Sequence, residues 1–136
     1  MKILIIGLGA IGIRHYNILK NLIPQASFAF LSNSFKKNND YKNVLIYNKI
    51  NDAIKFEPTL AVIANPSSLH LKYAKVFISI KSNIFIEKPI SNILNQKATL
   101  ELYNLANLYK KNIFLGYNLI FDNSYIFFSK ILKKSN

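Results

Sequence analysis

At 136 residues, 51% apolar and 18% charged, the chain is long enough for one domain with a real core, and its composition excludes a disordered polymer. With no cysteine, disulfides and thiolate metal sites are excluded, and with two histidines unaccompanied by a carboxylate cluster no metal site is expected. The net charge of +12 comes from lysines scattered over many segments with a single arginine, so nucleic acid is not an expected partner, although the basic surface favours anionic ligands.

In chain order, Lys2 to Ile6 is a short apolar, β-branched run that reads as a strand. Gly7-Leu8-Gly9-Ala10-Ile11-Gly12 follows at once, and a helix is predicted from about Ala10 to Leu22. This N-terminal stretch is not read as a signal peptide, because three glycines interrupt it and Arg14-His15 closes it. A second strand is predicted over Ser27 to Leu31, and the polar stretch from Ser32 to Lys42 reads as a loop or weak helix. Val44 to Tyr47 reads as a third strand, followed by a short helix from Asn51 to Phe56 with Asn51 as its cap. Leu60 to Ala64 is a buried strand, introduced by Pro58 and closed by Asn65-Pro66. Ser67 or Ser68 is the expected cap of a helix over Leu69 to Ile80. Asn83 to Ile86 is a fifth strand. A long helix is expected from Ser91 or Asn92 to Lys111, with Ile93, Leu94, Ala98, Leu100, Leu102, Leu105 and Leu108 recurring at helical spacing. Asn112 to Leu115 is a sixth strand, and Asp122 to Lys134 a terminal helix. No stretch approaches the ~20 apolar residues needed to cross a bilayer, so no membrane partner and a cytoplasmic location are expected.

Strands alternating with helices imply an α/β fold, a doubly wound, mostly parallel six-stranded sheet of the Rossmann type in the order 3-2-1-4-5-6, with helices on both faces. Ligands of such sheets bind outside the strand carboxyl ends, at the point where strand order reverses. Strand, GxGxxG and helix in that order predict a dinucleotide site there. Gly7 permits the tight turn, Gly9 lets the backbone approach a pyrophosphate, and Gly12 lets the helix pack closely on the sheet. Unpaired amides at the start of the helix, including those near Ala10 and Ile11, present a partial positive charge to phosphate. The segments Asn65-Pro66-Ser67-Ser68-Leu69-His70, Glu87-Lys88-Pro89 and Gly116-Tyr117-Asn118 follow strands 4, 5 and 6 and should converge on the same crevice.

This set of motifs, in this order over Met1 to Phe121, resembles the N-terminal domain of the Gfo/Idh/MocA oxidoreductases, the family of glucose-fructose oxidoreductase and inositol dehydrogenase. The resemblance implies an NAD(P)-binding domain at 1–121 and a terminal helix at 122–136 leading toward a C-terminal substrate domain that this chain lacks. It implies cofactor contacts from Gly7, Gly9, Ala10, Ile11, Gly12, Asn65, Pro66, His70, Glu87, Lys88, Pro89 and Asn118. Lys88 matches the lysine that places nicotinamide and substrate, and is the candidate catalytic residue. An ammonium there can bond a substrate hydroxyl and stabilise negative charge developing on oxygen. Pro89 matches a proline often preceded by a cis bond, and His15 matches a further family position for which packing in the first helix is expected.

Two departures stand out. Leu119 and Ile120 occupy positions where the family commonly has arginine. The end of the second strand reads Leu31-Ser32-Asn33-Ser34, about 20 residues beyond the glycine turn, where an NAD site carries an acidic residue. Ser32 and Asn33 suit either a ribose or a 2′-phosphate, and Lys36 and Lys37 follow, so the cofactor is NAD or NADP with a lean to NADP. Three functions stay open. The first is an oxidoreductase component that moves hydride between nicotinamide and a sugar or cyclitol, completed by a second domain. The second is a truncated, non-catalytic nucleotide-binding module, and the third a basic nucleic-acid-binding protein. The apolar terminal helix predicts self-association or a partner that covers it.

Overall fold

A computed structural model describes residues 1–33, 44–92 and 96–134. All of the expected loop or weak helix from Ser32 to Lys42 beyond Asn33, including Ser34, Lys36 and Lys37, and the expected helical positions Ile93 and Leu94 lie outside the described residues. Six parallel strands run β1 (Lys2–Ile6), β2 (Ser27–Leu31), β3 (Leu45–Tyr47), β4 (Leu60–Ile63), β5 (Asn83–Ile86) and β6 (Ile113–Leu115). Their order across the sheet is β3-β2-β1-β4-β5-β6. Strand order reverses beside β1, which pairs in register with β2 through Ile5 and Phe30, and with β4 through Ile5 and Val62.

Alternation along each strand splits the core in two. Leu4, Ile6, Ala29, Ala61, Ile63, Ile84 and Ile86 face the larger half. Covering it are α2 (Ile50–Lys55), α3 (His70–Ser79) and α4 (Gln96–Tyr109), with Phe77 and Ile78 wholly buried. Ile3, Ile5, Phe30 and Val62 face the other half, beneath α1 (Ala10–Leu22). There Tyr16 of α1 meets Phe28 edge-on, with ring centroids 5.3 Å apart. The last helix, α5 (Asn123–Lys134), meets chiefly the 3-10 turn Asn118–Phe121 that precedes it.

Two local expectations are corrected. Lys49 rather than Asn51 precedes α2 as its cap, and it makes no side-chain capping bond. Ser67 and Ser68 fall inside a 3-10 turn, Ser67–Leu69, and Leu69 precedes α3 with no side-chain cap. For α4 the described part opens at Gln96, and residues 93–95, next to the expected start at Ser91 or Asn92, lie outside the described residues. At α2 and α3 the backbone enters the helix without the Ser/Asn side chain that propensity favours, so propensity is overridden by the packing of the helix on the sheet.

Helix exits follow a different chemistry. Lys81 and Lys110 adopt φ of 66° and 53°. At α3 the Ser82 amide donates to the Phe77 carbonyl at 3.1 Å and the Lys81 amide to Ile78 at 2.9 Å. At α4 the Lys111 amide donates to Ala106 at 2.9 Å and Lys110 to Asn107 at 3.2 Å. These are paired Schellman closures, in which glycine ordinarily takes the left-handed position. A side chain there costs about 1–2 kcal/mol, and glycine gives back about 0.5–1 kcal/mol in unfolded-state entropy. Lys81→Gly and Lys110→Gly are each expected to gain about 0.5–1 kcal/mol, seen as a higher urea midpoint at unchanged slope. A lower midpoint would contradict the reading of these exits.

Candidate functional site

The carboxyl ends of β1, β2 and β4 meet around a cleft of about 640 Å³. Main-chain bonds pin the three ends together. The Gly7 amide donates to Leu31 at 2.9 Å, and the Ala64 amide to Ile6 at 2.9 Å. Gly7 has φ of 107°, and a Cβ there would lie 2.8 Å from the Ala64 carbonyl oxygen and 2.9 Å from the Asn65 nitrogen. A Cβ on Gly12 would lie 2.0 Å from the Gly7 carbonyl oxygen. These two glycines are demanded by the fold itself. Gly9 differs: its backbone is extended (φ −91°, ψ −177°), and a Cβ there would meet nothing within 4 Å.

The start of α1 is correspondingly bare. Gly9 is its cap, no side chain bonds the first amides, and no acidic residue stands in the first turn. The helix therefore presents unpaired N–H groups and the positive end of its dipole beside open space. Across the cleft, Asn65 Oδ1 is buried and has no hydrogen-bond partner among the described residues. A buried carbonyl-type oxygen without a donor is costly in a finished core, and fits a site whose donor arrives with a ligand. Helix amides for phosphate and an acceptor for a hydroxyl or amide match the polar chemistry of a dinucleotide.

Gly7, Gly9, Ser32, Asn33, Asn65 and Pro66 all line this cleft. Ser32 is buried, and its amide donates to Tyr47 at 2.9 Å, while Asn33 is exposed. Among the described residues no carboxylate lines the cavity. Ala10, Ile11, Gly12, His70, Glu87, Lys88, Pro89 and Asn118 do not line it. Ala10 and Ile11 are exposed in the first turn of α1, and Gly12 is buried under it.

His70 is only 2% exposed. Its Nε2 lies 2.7 Å from the Asn65 carbonyl oxygen and its Nδ1 2.8 Å from that of Pro89. Both partners are acceptors, so the ring donates whichever proton it carries, and a neutral ring donates to one of them at a time. The effect is to tie the loop after β4 to the loop after β5. The Lys88–Pro89 peptide is cis.

Glu87 holds the other side of that second loop. Its Oε1 lies 2.6 Å from His15 Nε2 on α1, both side chains being about one-fifth exposed. Glu87 Oε2 accepts the Lys88 amide at 3.2 Å. A Cβ on Gly116 would sit 3.2 Å from that oxygen, so the glycine after β6 leaves room for the carboxylate. Lys88 is exposed and makes no ion pair among the described residues. Asn118 is exposed at the start of the 3-10 turn after β6. Among the described residues no group of three or more metal-ligating side chains occurs, and no helix is long and apolar enough to cross a membrane.

Leu69, within the expected segment after strand 4, and Tyr73 also line the cleft, and Tyr73 escapes a motif-based reading. They stand four residues apart, one helical turn, and that spacing was the available signal. An apolar or aromatic residue in a periodic helix reads first as core.

Residues 1–117 match the family model described as the oxidoreductase family with an NAD-binding Rossmann fold. No curated protein matches the chain. Among solved structures, scyllo-inositol dehydrogenase from Lactobacillus casei, with bound NAD(H) and scyllo-inositol, is 23% identical with a TM-score of 0.80. The alignment covers 98% of this chain and 41% of that one. The WlbA dehydrogenase from Chromobacterium violaceum, in complex with NADH and UDP-GlcNAcA, is 18% identical with a TM-score of 0.74, covering 85% of this chain and 34% of that one. The chain thus spans well under half the length of these solved relatives. Fold, glycine turn and family match converge: the chain belongs to the Gfo/Idh/MocA oxidoreductase family, as its NAD-binding Rossmann domain.

Proposed function

We propose that this domain binds NAD(P) in the cleft and serves a hydride-transferring oxidoreductase acting on a sugar or cyclitol, completed by a second domain. The observation that carries the reading is the contrast among the glycines. Gly7 and Gly12 are enforced by neighbouring protein atoms, whereas among the described residues nothing restricts Gly9. Open space above an uncapped helix start is what a pyrophosphate requires.

When bound, the nicotinamide supplies or accepts the hydride. The chain's own residues bind and orient. The amides at the start of α1 take the phosphates, Asn65 Oδ1 accepts a donor from the cofactor, and Lys88 bonds the substrate oxygen and stabilises charge developing on it. Glu87, bonded to His15 and to the Lys88 amide, sets where Lys88 starts from. Both histidines are engaged in ties, so the acid–base partner for the hydroxyl proton comes from the second domain in this proposal. Ser32 and Asn33 place no negative charge against a 2′-phosphate, and with Lys36 and Lys37 following in the sequence we favour NADP over NAD.

The exposed apolar side chains of the 3-10 turn and α5, with Phe121 at 78%, Phe127 at 62% and Tyr125 at 52%, support a covering partner or a second copy. Sedimentation of the isolated chain is expected to show association, and a monodisperse monomer would count against it.

Cofactor binding is tested by fluorescence titration with NADPH and NADH. Saturation at micromolar levels, tighter for NADPH, is expected; no saturation with either in a folded sample would sink the proposal. Gly9→Ala separates site from fold. The methyl suits the Gly9 backbone, and a less favourable cap offsets the entropic gain, so stability should change by less than about 1 kcal/mol. Binding should weaken at least tenfold. Gly12→Ala should instead lower stability by about 1–3 kcal/mol through overpacking against Gly7. Equal stability losses in both variants would remove the contrast on which the reading rests.

A further inference from the structure

Within the proposed NAD(P) site, on which this inference rests, the cleft has two unlike walls. One is the end of β2, with Leu31, Ser32 and Asn33, and the other is Pro66, Leu69 and Tyr73. The glycine turn forms the floor between them. No described residue from the loops after β5 or β6 lines this cavity, and Lys88 stands outside it. In a doubly wound sheet the ribose next to the base is met at the end of the second strand. A cavity built from the ends of β1, β2 and β4 therefore takes the adenosine half of a dinucleotide, and the nicotinamide half extends beyond it toward Lys88.

We infer that Tyr73 is the base-stacking residue of this cleft, with Leu69 one turn before it completing an apolar wall for adenine. Tyr73 is half-buried, packs on one side against the larger core, and lines the cleft. Among the described residues its ring has no aromatic partner and its hydroxyl no hydrogen bond. A phenol ring needs no bond to hold a flat base, and stacking on an aromatic face is indifferent to which base is offered. Leu69 is 37% exposed, an apolar side chain at the cleft rim that a bound base would cover. The opposite wall supplies hydroxyl and amide groups for the ribose. The cleft thus divides its labour: an aromatic and apolar side for the base, and a polar side for the sugar.

The test uses the whole chain and fragments of the cofactor. ADP-ribose and NADH carry the adenine, whereas reduced nicotinamide mononucleotide does not. Tyr73→Leu is expected to weaken ADP-ribose and NADH about tenfold, the effect of losing one base stack, and to leave the mononucleotide within twofold. Tyr73→Phe keeps the ring and should keep binding within about twofold for all three. Independently of any variant, AMP added to the wild-type chain should shift the Tyr73 ring resonances upfield, and nicotinamide mononucleotide should not. Equal binding by Tyr73→Leu, an equal loss for the mononucleotide, or an AMP titration that leaves the Tyr73 ring unmoved would overturn the inference while leaving cofactor binding intact. Failure of the folded wild-type chain to bind NADH, NADPH or ADP-ribose would overturn both.

Discussion

The structure depends on a contact with no room for a methyl group. At the end of β1 the backbone of Gly7 is pressed between the end of β4 and the first turn of α1. A side chain at Gly7 would strike Ala64, and one at Gly12 would strike Gly7. This stack of main chain on main chain fixes how α1 leaves the sheet and where its amides point. The position of the cleft follows from it. Strand order reverses here, so no helix crosses in front of the strand ends, and the space above Gly9 stays open. The whole chain has four glycines: Gly7, Gly9 and Gly12 lie in the turn after β1 and the first turn of α1, and Gly116 follows β6. The exits of α3 and α4 manage with lysine in the left-handed position instead, and that of α2 with Glu57.

A second set of contacts holds the loop that carries Lys88. His70 reaches from the start of α3 to the carbonyls of Asn65 and Pro89, and Glu87 reaches back to His15 on α1. The loop is thereby tied to both faces of the sheet. The ties differ in kind. His70 is buried and bonds only backbone, so its loss would leave carbonyls unsatisfied in the interior. The Glu87–His15 pair is partly exposed, next to the edge contact of His15 with Phe85 at 5.1 Å, and combines polar and aromatic packing. In this frame both histidines act on the position of the loop rather than on a substrate.

The sheet was legible in the sequence because its strands are compact apolar runs bounded by breakers. Lys2–Ile6 before the glycine turn and Leu60–Ile63 between Pro58 and Asn65-Pro66 show this most plainly. The right-handed crossover rule then left few arrangements, and the observed order is the expected one. Helix starts were less legible. Asn51, Ser67 and Ser68 have the chemistry of caps, yet the helices begin elsewhere, because the register of each helix is set by burial of residues such as Ala53 and Phe77. The glycine turn, Ser32 and Asn33, and Asn65-Pro66 were visible as motifs at strand ends, and the structure gathers them around one cavity. What stayed hidden was pairing at a distance. His15 and Glu87 are 72 residues apart, and nothing local to either announces the other. Tyr73 was hidden for the opposite reason, since its helical periodicity is satisfied by a core role and its second, cleft-facing side has no sequence signature.

The two sides of the sheet's carboxyl edge are unequal. Toward β2 the cleft is walled, floored and lined with matched polar and apolar groups. Toward β6 the edge is open: Phe114, Tyr117, Ile120 and Phe121 are each more than half exposed. Phe114 is in register with Phe85, yet it lacks the cover that α1 and His15 give its partner. Apolar surface of this kind is poorly served by water and gains from being covered. Lys88 stands between the finished side and the bare one. Under the reading proposed here, grip on the adenosine end of the cofactor is a property of the described residues themselves. Placement of the reacting carbon is not, because it depends on what covers the β6 side. Binding and turnover are then separable by construction, and a change on the Tyr73 wall should alter the first without requiring anything of the second.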